Sequence, residues 1–261
     1  MRHPRLWRAY ANLATLANGL CGAGAIAYVV LGNKLFALAL VFIGIGWDGL
    51  DGFFSRRSGL PPNLFGRVAD SVADAVTFAL APAAIIFFDN YPRSAWAAYD
   101  GASLAVAVLV GGLAIARLVY FTVRAHALPH FLGASTPQNA LALALLVLLL
   151  QNPAYLTLSP PLFLVLAALL AIVMVLPIPY PKMRGHASLR ALVVAMTVTD
   201  VFALAIPNFR PDAGTVPYLA AEAMAIVAMA LLLTFYGMGP WVARNDAVQK
   251  DPSAPRTGAN P

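Results

Sequence analysis

The chain has 261 residues, 61% of them hydrophobic and only 11% charged. Apolar runs of about 20 residues recur along nearly all of it, the mark of a polytopic membrane protein, and a soluble fold would need a core larger than this length allows. The net charge of +6 comes from basic residues dispersed between the apolar runs, a topology signal that excludes a nucleic-acid surface, and the single Cys21 excludes an intrachain disulfide.

The elements follow in chain order. Residues 3–12 carry Arg5, Trp7, Arg8 and Tyr10, and mixed basic and aromatic residues predict a short helix lying in the membrane interface. The first span is expected over 13–31, too long and too rich in small polar residues for a cleaved signal. Its start places Asn12, Thr15 and Asn18 at i, i+3 and i+6, a polar stripe that would face the interior of a bundle. The second span, over 35–57, carries Asp48 and Asp51 and repeats glycine at Gly44, Gly46, Gly49 and Gly52, where another backbone or a ligand can approach closely. Gly59, Pro61 and Pro62 form a turn. The third span, over 64–88, carries Asp70 and Asp74, and Pro82 is expected to kink it.

Five further spans are expected over 95–123, 138–150, 162–176, 187–206 and 217–236. The layout is therefore an all-α bundle of about six to eight transmembrane helices forming one domain over 1–240, with a flexible cytosolic tail over 241–261. With the N-terminus cytosolic, fourteen of the seventeen Lys and Arg residues fall on the cytosolic side, leaving Lys34, Arg93 and Arg210 on the other, as the positive-inside rule requires. His126, His130 and His186 read as loop residues, and Trp96 and Trp241 fit an interfacial belt.

Four of the eleven acidic residues lie within 48–74. A carboxylate near the bilayer core costs about 2.5–3.5 kcal/mol on insertion scales, so it is kept where it faces partners or water. Asp48 and Asp51 are three apart and Asp70 and Asp74 four apart, so each pair projects from one helix face. Two such faces turned together bring four carboxylates to one point, where mutual repulsion demands cations. Hard oxygen ligands favour Mg²⁺, Mn²⁺ or Ca²⁺, and phosphate-handling Mg²⁺ sites combine a few carboxylates with substrate oxygens.

The pattern D-x-x-D-G-x-x-A-R, a loop, then G-x-x-x-D-x-x-x-D resembles the signature of the CDP-alcohol phosphotransferase family. The chain matches it at Asp48, Asp51, Gly52, Arg56, Gly66, Asp70 and Asp74, with Ser55 in place of the usual Ala. The segment from Phe65 to Pro82, the N-x-x-T-x-x-N-x-x-x-G opening and the Tyr180-Pro181-Lys182 turn are similar to the phosphatidylserine and archaetidylserine synthase branch. Two stretches depart from that branch. Its R-L-A-R-F-N is here Arg117-Leu-Val-Tyr120-Phe121-Thr122, and its G-L-P-x-P is Gly133-Ala-Ser135-Thr-Pro137.

The resemblance implies transfer of a phosphatidyl-type group from a CDP-linked lipid to a small alcohol, with serine favoured, and release of CMP. It implies two divalent cations, Mg²⁺ or Mn²⁺, held by Asp48, Asp51 and Asp70, with Asp74 as general base and further ligand. Gly52, Arg56 and Gly66 would bind the CDP-lipid, and Asn12, Thr15 and Asn18 would contact its headgroup. Arg117, Arg124, Lys182 and Arg184 are the cytosolic candidates for an acceptor carboxylate; each also reads as an interfacial anchor. The site would face the cytosol from the cell membrane. Dimers are common in that family, so a homodimer belongs among the expected partners. Glycerol 3-phosphate, inositol phosphate and choline are the alternative acceptors. A cation transporter is the alternative of another class, but it would leave the spacing of Gly52, Arg56 and Gly66 unexplained.

Overall fold

The structure, a computed structural model, describes residues 3–61, 63–89, 97–123, 131–150, 160–180 and 216–250. It is helical apart from one two-residue strand pair. Helix α1 runs Pro4–Val30 and α2 Lys34–Ser58. The third span is α3 (Leu64–Asp74), a π-helical turn (Ala75–Leu80) and α4 (Ala81–Asp89) in direct succession. Then come α5 (Ala97–Val123), strand β1 (Phe131–Leu132), α6 (Thr136–Leu150), α7 (Pro160–Val175), β2 (Pro179–Tyr180) and α8 (Val216–Lys250).

Among the described residues four helices are long and apolar enough to cross a membrane: Pro4–Val30, Lys34–Ser58, Leu64–Phe88 and Gly101–Val123. Three shorter apolar helices lie in the second half. The span expected over 187–206 lies outside the described residues. At 1.5 Å per residue α1 is about 40 Å long, more than the roughly 30 Å hydrocarbon layer. The interfacial helix expected over 3–12 is therefore not a separate element. No Gly or Pro separates it from the span, so one helix continues through both. Its first turns pack on the end of α2, where Trp7 and Tyr10 meet Phe54, Arg57 lies over the Trp7 ring, and Arg8 donates to the Pro61 carbonyl at 2.6 Å.

Three further boundaries differ from expectation. The span expected over 138–150 begins at Thr136, because Ser135 and Gln138 form a reciprocal cap: Ser135 N donates to Gln138 Oε1 at 3.1 Å and Gln138 N to Ser135 Oγ at 3.4 Å. The tail expected to leave the bundle at 241 stays helical through Pro240 to Lys250. At Pro82 the irregularity is the π turn just before it, in which the Ala81 amide donates to Val76 O, five residues back. That turn shifts the hydrogen-bond ladder where proline has no N–H to contribute.

The core centres on α2, α4, α6 and α7, with α1, α5 and α8 contributing Ala25, Val29, Ala107, Val110, Ala225 and Leu232. Phe42, Ile86, Leu143, Leu145 and Phe163 are among its fully buried side chains. Residues 140–148 of α6 are buried on every side, which identifies this short, uniformly apolar helix as the centre of the bundle. Beside it, Leu132 pairs with Pro179 and the Gly133 amide donates to Ile178 O at 2.9 Å. Gly133 adopts φ +70°, and a Cβ there would run into the Met174 carbonyl. Gly133→Ala is expected to destabilise the fold by about 2 kcal/mol. Thermal unfolding of the detergent-solubilised protein measures this, and an unchanged midpoint would show that the loop does not seat on α7 as described.

Candidate metal and nucleotide site

The two aspartate pairs are brought together where α1, α2 and α3 meet. Each helix is started or stopped by local chemistry. Asn33 caps α2 by accepting from Phe36 N at 3.1 Å, and Gly59, at φ +64°, ends it. Asn63 caps α3, its Oδ1 accepting from Gly66 N at 2.8 Å. A Cβ on Gly66 would lie 2.6 Å from that oxygen, so glycine at this position lets the cap fold over the helix start.

Asp48, Asp70 and Asp74 each place a carboxylate oxygen so that the three lie within 4.8 Å of one another. Asp51 stands beside them, its Oδ2 accepting from Thr15 Oγ1 at 3.0 Å and its carboxyl close enough to those of Asp48 and Asp70 to repel them. Asp51 and Asp74 are buried, and Asp48 and Asp70 are partly buried. Asp70 Oδ1 is buried with no hydrogen-bond donor among the described residues. A carboxylate oxygen without a donor, next to other carboxylates, is a stable arrangement only with a cation or proton between them. The donor set is all hard oxygen, so the residues present fit a divalent cation.

Of the polar stripe on α1, the structure brings two members to the carboxylates and leaves one out. Thr15 bonds Asp51, and the fully buried Asn18 donates from Nδ2 to Asp74 Oδ1 at 2.9 Å. Asn12 is exposed. Two steps of three residues rotate about 120° around a helix, which carries Asn12 away from the face of Asn18. Arg56 is exposed and folds back along α2, so that a Cβ on Gly52 would lie 3.1 Å from its guanidinium. Asp48, Gly52 and Arg56 thus stack four residues apart on one face. Of the other α2 glycines only Gly44 meets a neighbouring helix closely; Gly46 and Gly49 have nothing within 4 Å among the described residues.

The cluster, its glycine and its arginine together decide the family. The profile of the CDP-alcohol phosphatidyltransferases matches residues 8–179.

This chain belongs to the CDP-alcohol phosphatidyltransferase family.

It is 29% identical over 180 residues to a CDP-diacylglycerol–serine O-phosphatidyltransferase of Methanocaldococcus jannaschii, covering 69% of this chain and 79% of the relative. It is 27% identical over 179 residues to the Bacillus subtilis protein of the same name, covering 67% and 92%. An archaetidylserine synthase of Methanothermobacter thermautotrophicus is 27% identical over 175 residues, covering 67% and 70%. As a member of the family the chain is a multi-pass membrane enzyme whose substrates are a CDP-linked lipid and an alcohol.

The half of the phosphatidyltransferase that departs from the serine-transferring pattern has its own hydrogen bonds. Thr122, where that pattern has Asn, shares a 2.6 Å hydrogen bond with Ser71, and its carbonyl accepts from the Arg67 guanidinium. Arg117 donates from its guanidinium to Thr136 Oγ1 at 3.0 Å, and its Nε is buried without a partner among the described residues. Arg124, Lys182 and Arg184 lie outside the described residues. The contacts of Arg67, Ser71 and Thr77 were not legible in the sequence. Ser71 and Thr77 sit in apolar runs whose period marks a span but not its neighbours. Ser71→Ala and Thr122→Val are each expected to cost about 1 kcal/mol of stability, and the double variant should cost less than their sum. A double-mutant cycle on unfolding free energy checks this, and strict additivity would show that the two hydroxyls do not meet.

Proposed function

We propose that this phosphatidyltransferase transfers the phosphatidyl group of a CDP-linked lipid to the hydroxyl of L-serine and releases CMP. The observation that carries the reading is the convergence of Asp48, Asp70 and Asp74, with Asp51 beside them, in a chain whose curated relatives are named for serine transfer. Asp48, Asp51, Asp70 and Asp74 would hold two divalent cations, Mg²⁺ or Mn²⁺. Bound there, the cations supply neutralisation of pyrophosphate charge and a lowered pKa for a coordinated hydroxyl.

The chain's own residues do the rest. Asp74 accepts the proton of the serine hydroxyl. The serine oxygen forms its bond to the lipid-side phosphorus as the bond from that phosphorus to the bridging pyrophosphate oxygen breaks. That oxygen leaves with CMP. Arg56 meets the nucleotide phosphates with its planar guanidinium. Its exposure lets it swing off Gly52, and the bared glycine then admits the nucleotide against α2. Gly66, which lets the Asn63 cap close over the start of α3, lies at the end of the site where the lipid phosphate would bind. Thr15 and Asn18 act on the aspartates rather than on the headgroup, because both donors are already engaged there. Arg117, with a buried unpartnered Nε, is the described candidate for the serine carboxylate. Arg8, Arg56, Arg57 and Arg67 gather at the ends of α1, α2 and α3, which supports a site opening to the cytosol.

Incubation of the purified full chain with CDP-diacylglycerol or CDP-archaeol, Mn²⁺ or Mg²⁺ and labelled alcohols tests the acceptor. CMP release is expected with serine; release with glycerol 3-phosphate, inositol phosphate or choline but not serine would overturn the assignment. Asp74→Asn should lower turnover by about 10³-fold or more while CDP-lipid binding stays near wild type. Turnover retained within tenfold would remove Asp74 from the base role.

A further inference from the structure

Asp74 is followed at once by the π turn, and that turn carries a residue to which no motif points. Thr77 is fully buried. Its hydroxyl donates to the main-chain carbonyl of Asn18 at 2.7 Å, and the Asn18 amide donates to Asp74 at 2.9 Å. A closed circuit results: from Asp74 to the Asn18 side chain, from the Asn18 carbonyl to Thr77, and from Thr77 back along the π turn to Asp74.

Thr77 has no room to shift. A Cβ on Gly22 would lie 2.5 Å from its Oγ1 and 2.6 Å from its Cα, and a Cβ on Gly44 would lie 2.5 Å from its Cγ2. Two helices therefore bare their backbones to this one side chain, α1 from one side and α2 from the other. A β-branched side chain is already stiff at χ1. Clamped between two backbones, with its hydroxyl on a helix carbonyl, Thr77 fixes the rotation of the third span at that point. A π turn resets which residues of a helix face its neighbours, and such turns recur at functional sites. Here the reset falls directly after Asp74.

We propose that Thr77 is a positioning residue that acts through Asn18 to orient the Asp74 carboxylate toward Asp48 and Asp70. The proposal rests on the reading of Asp74 as ligand and base. A neutral amide suits this role because it engages one oxygen of Asp74, leaves the other for the cluster, and adds no charge to compete with a cation.

The test uses the full chain in detergent and reads turnover, KM for CDP-diacylglycerol, Mn²⁺ affinity by electron paramagnetic resonance titration, and the thermal midpoint. Thr77→Val keeps the shape and removes the hydroxyl; Thr77→Ser keeps the hydroxyl and removes the methyl beside Gly44. Thr77→Val is expected to lower kcat and to weaken Mn²⁺ binding, each by about 10- to 100-fold. KM for the CDP-lipid should stay within about twofold, because the lipid contacts are untouched. Thr77→Ser should recover most of both losses. Asn18→Ala breaks the last link while leaving Thr77, Gly22 and Gly44 themselves unaltered, and must give the same loss; wild-type kcat and Mn²⁺ affinity in Asn18→Ala overturn the proposal even if Thr77→Val does not fold. Equal losses in Thr77→Ser and Thr77→Val also overturn it, since packing alone would then explain them. If wild type releases no CMP with any acceptor, the functional reading fails. Mn²⁺ affinity then decides the positioning role: loss in Thr77→Val with recovery in Thr77→Ser supports it, and no loss overturns it.

Discussion

Four carboxylates held at one helix crossing, within a chain that is otherwise apolar, set the terms for everything around them. Each is unfavourable at membrane depth, and their proximity makes the set more so. The surrounding structure answers with neutral donors instead of cationic partners at the heart of the cluster. Thr15 reaches Asp51 and Asn18 reaches Asp74, while Arg56 stays at the exposed rim beside Gly52. Asp70 Oδ1 receives no donor at all among the described residues. Charge left uncompensated in this way is what a cation-dependent enzyme requires of its metal ligands, since a built-in Lys or Arg would compete with the metal.

Holding the crossing tight falls to backbone contacts. The first three spans meet at Gly22, Gly44 and Thr77 with less space than any side chain would need, the small-residue packing that brings membrane helices together without a hydrophobic driving force. The second half of the chain plays a different part. The buried α6, packed by α2, α7 and α8, lies at the centre of an apolar core, and the Gly133 loop and Arg117 tie α5, α6 and α7 to one another at one end. The third span, which carries Asp70 and Asp74, and α5 are joined through Ser71 and Thr122.

Legibility in the sequence followed the range of the interactions. The first four spans, their order and the pairing of aspartates on common faces were readable, because hydropathy and the 3.6-residue repeat are local properties. Helix boundaries were less so. Residues 3–12 continue into α1, since basic and aromatic composition marks a depth in the membrane and not a break in the backbone, and 241–250 continue α8, since the Pro, Ser and Gly residues that mark the tail all lie beyond 251. The stripe of Asn12, Thr15 and Asn18 was read as one face, yet its pitch carries Asn12 out of reach. The π turn had no local signature beyond Pro82, and Thr77 looked like any threonine in an apolar span.

By itself, then, the sequence determined the membrane class, the family and the identity of the four carboxylates, because these rest on composition and on fixed spacing along single helices. Tertiary structure alone decided which donors face them, that Asp51 stands beside the three-carboxylate cluster, and that Thr77 is clamped between Gly22 and Gly44. Those facts depend on the rotation and separation of helices that are up to 59 residues apart in the chain. No local pattern encodes that geometry; it emerges only when the backbones close on one another.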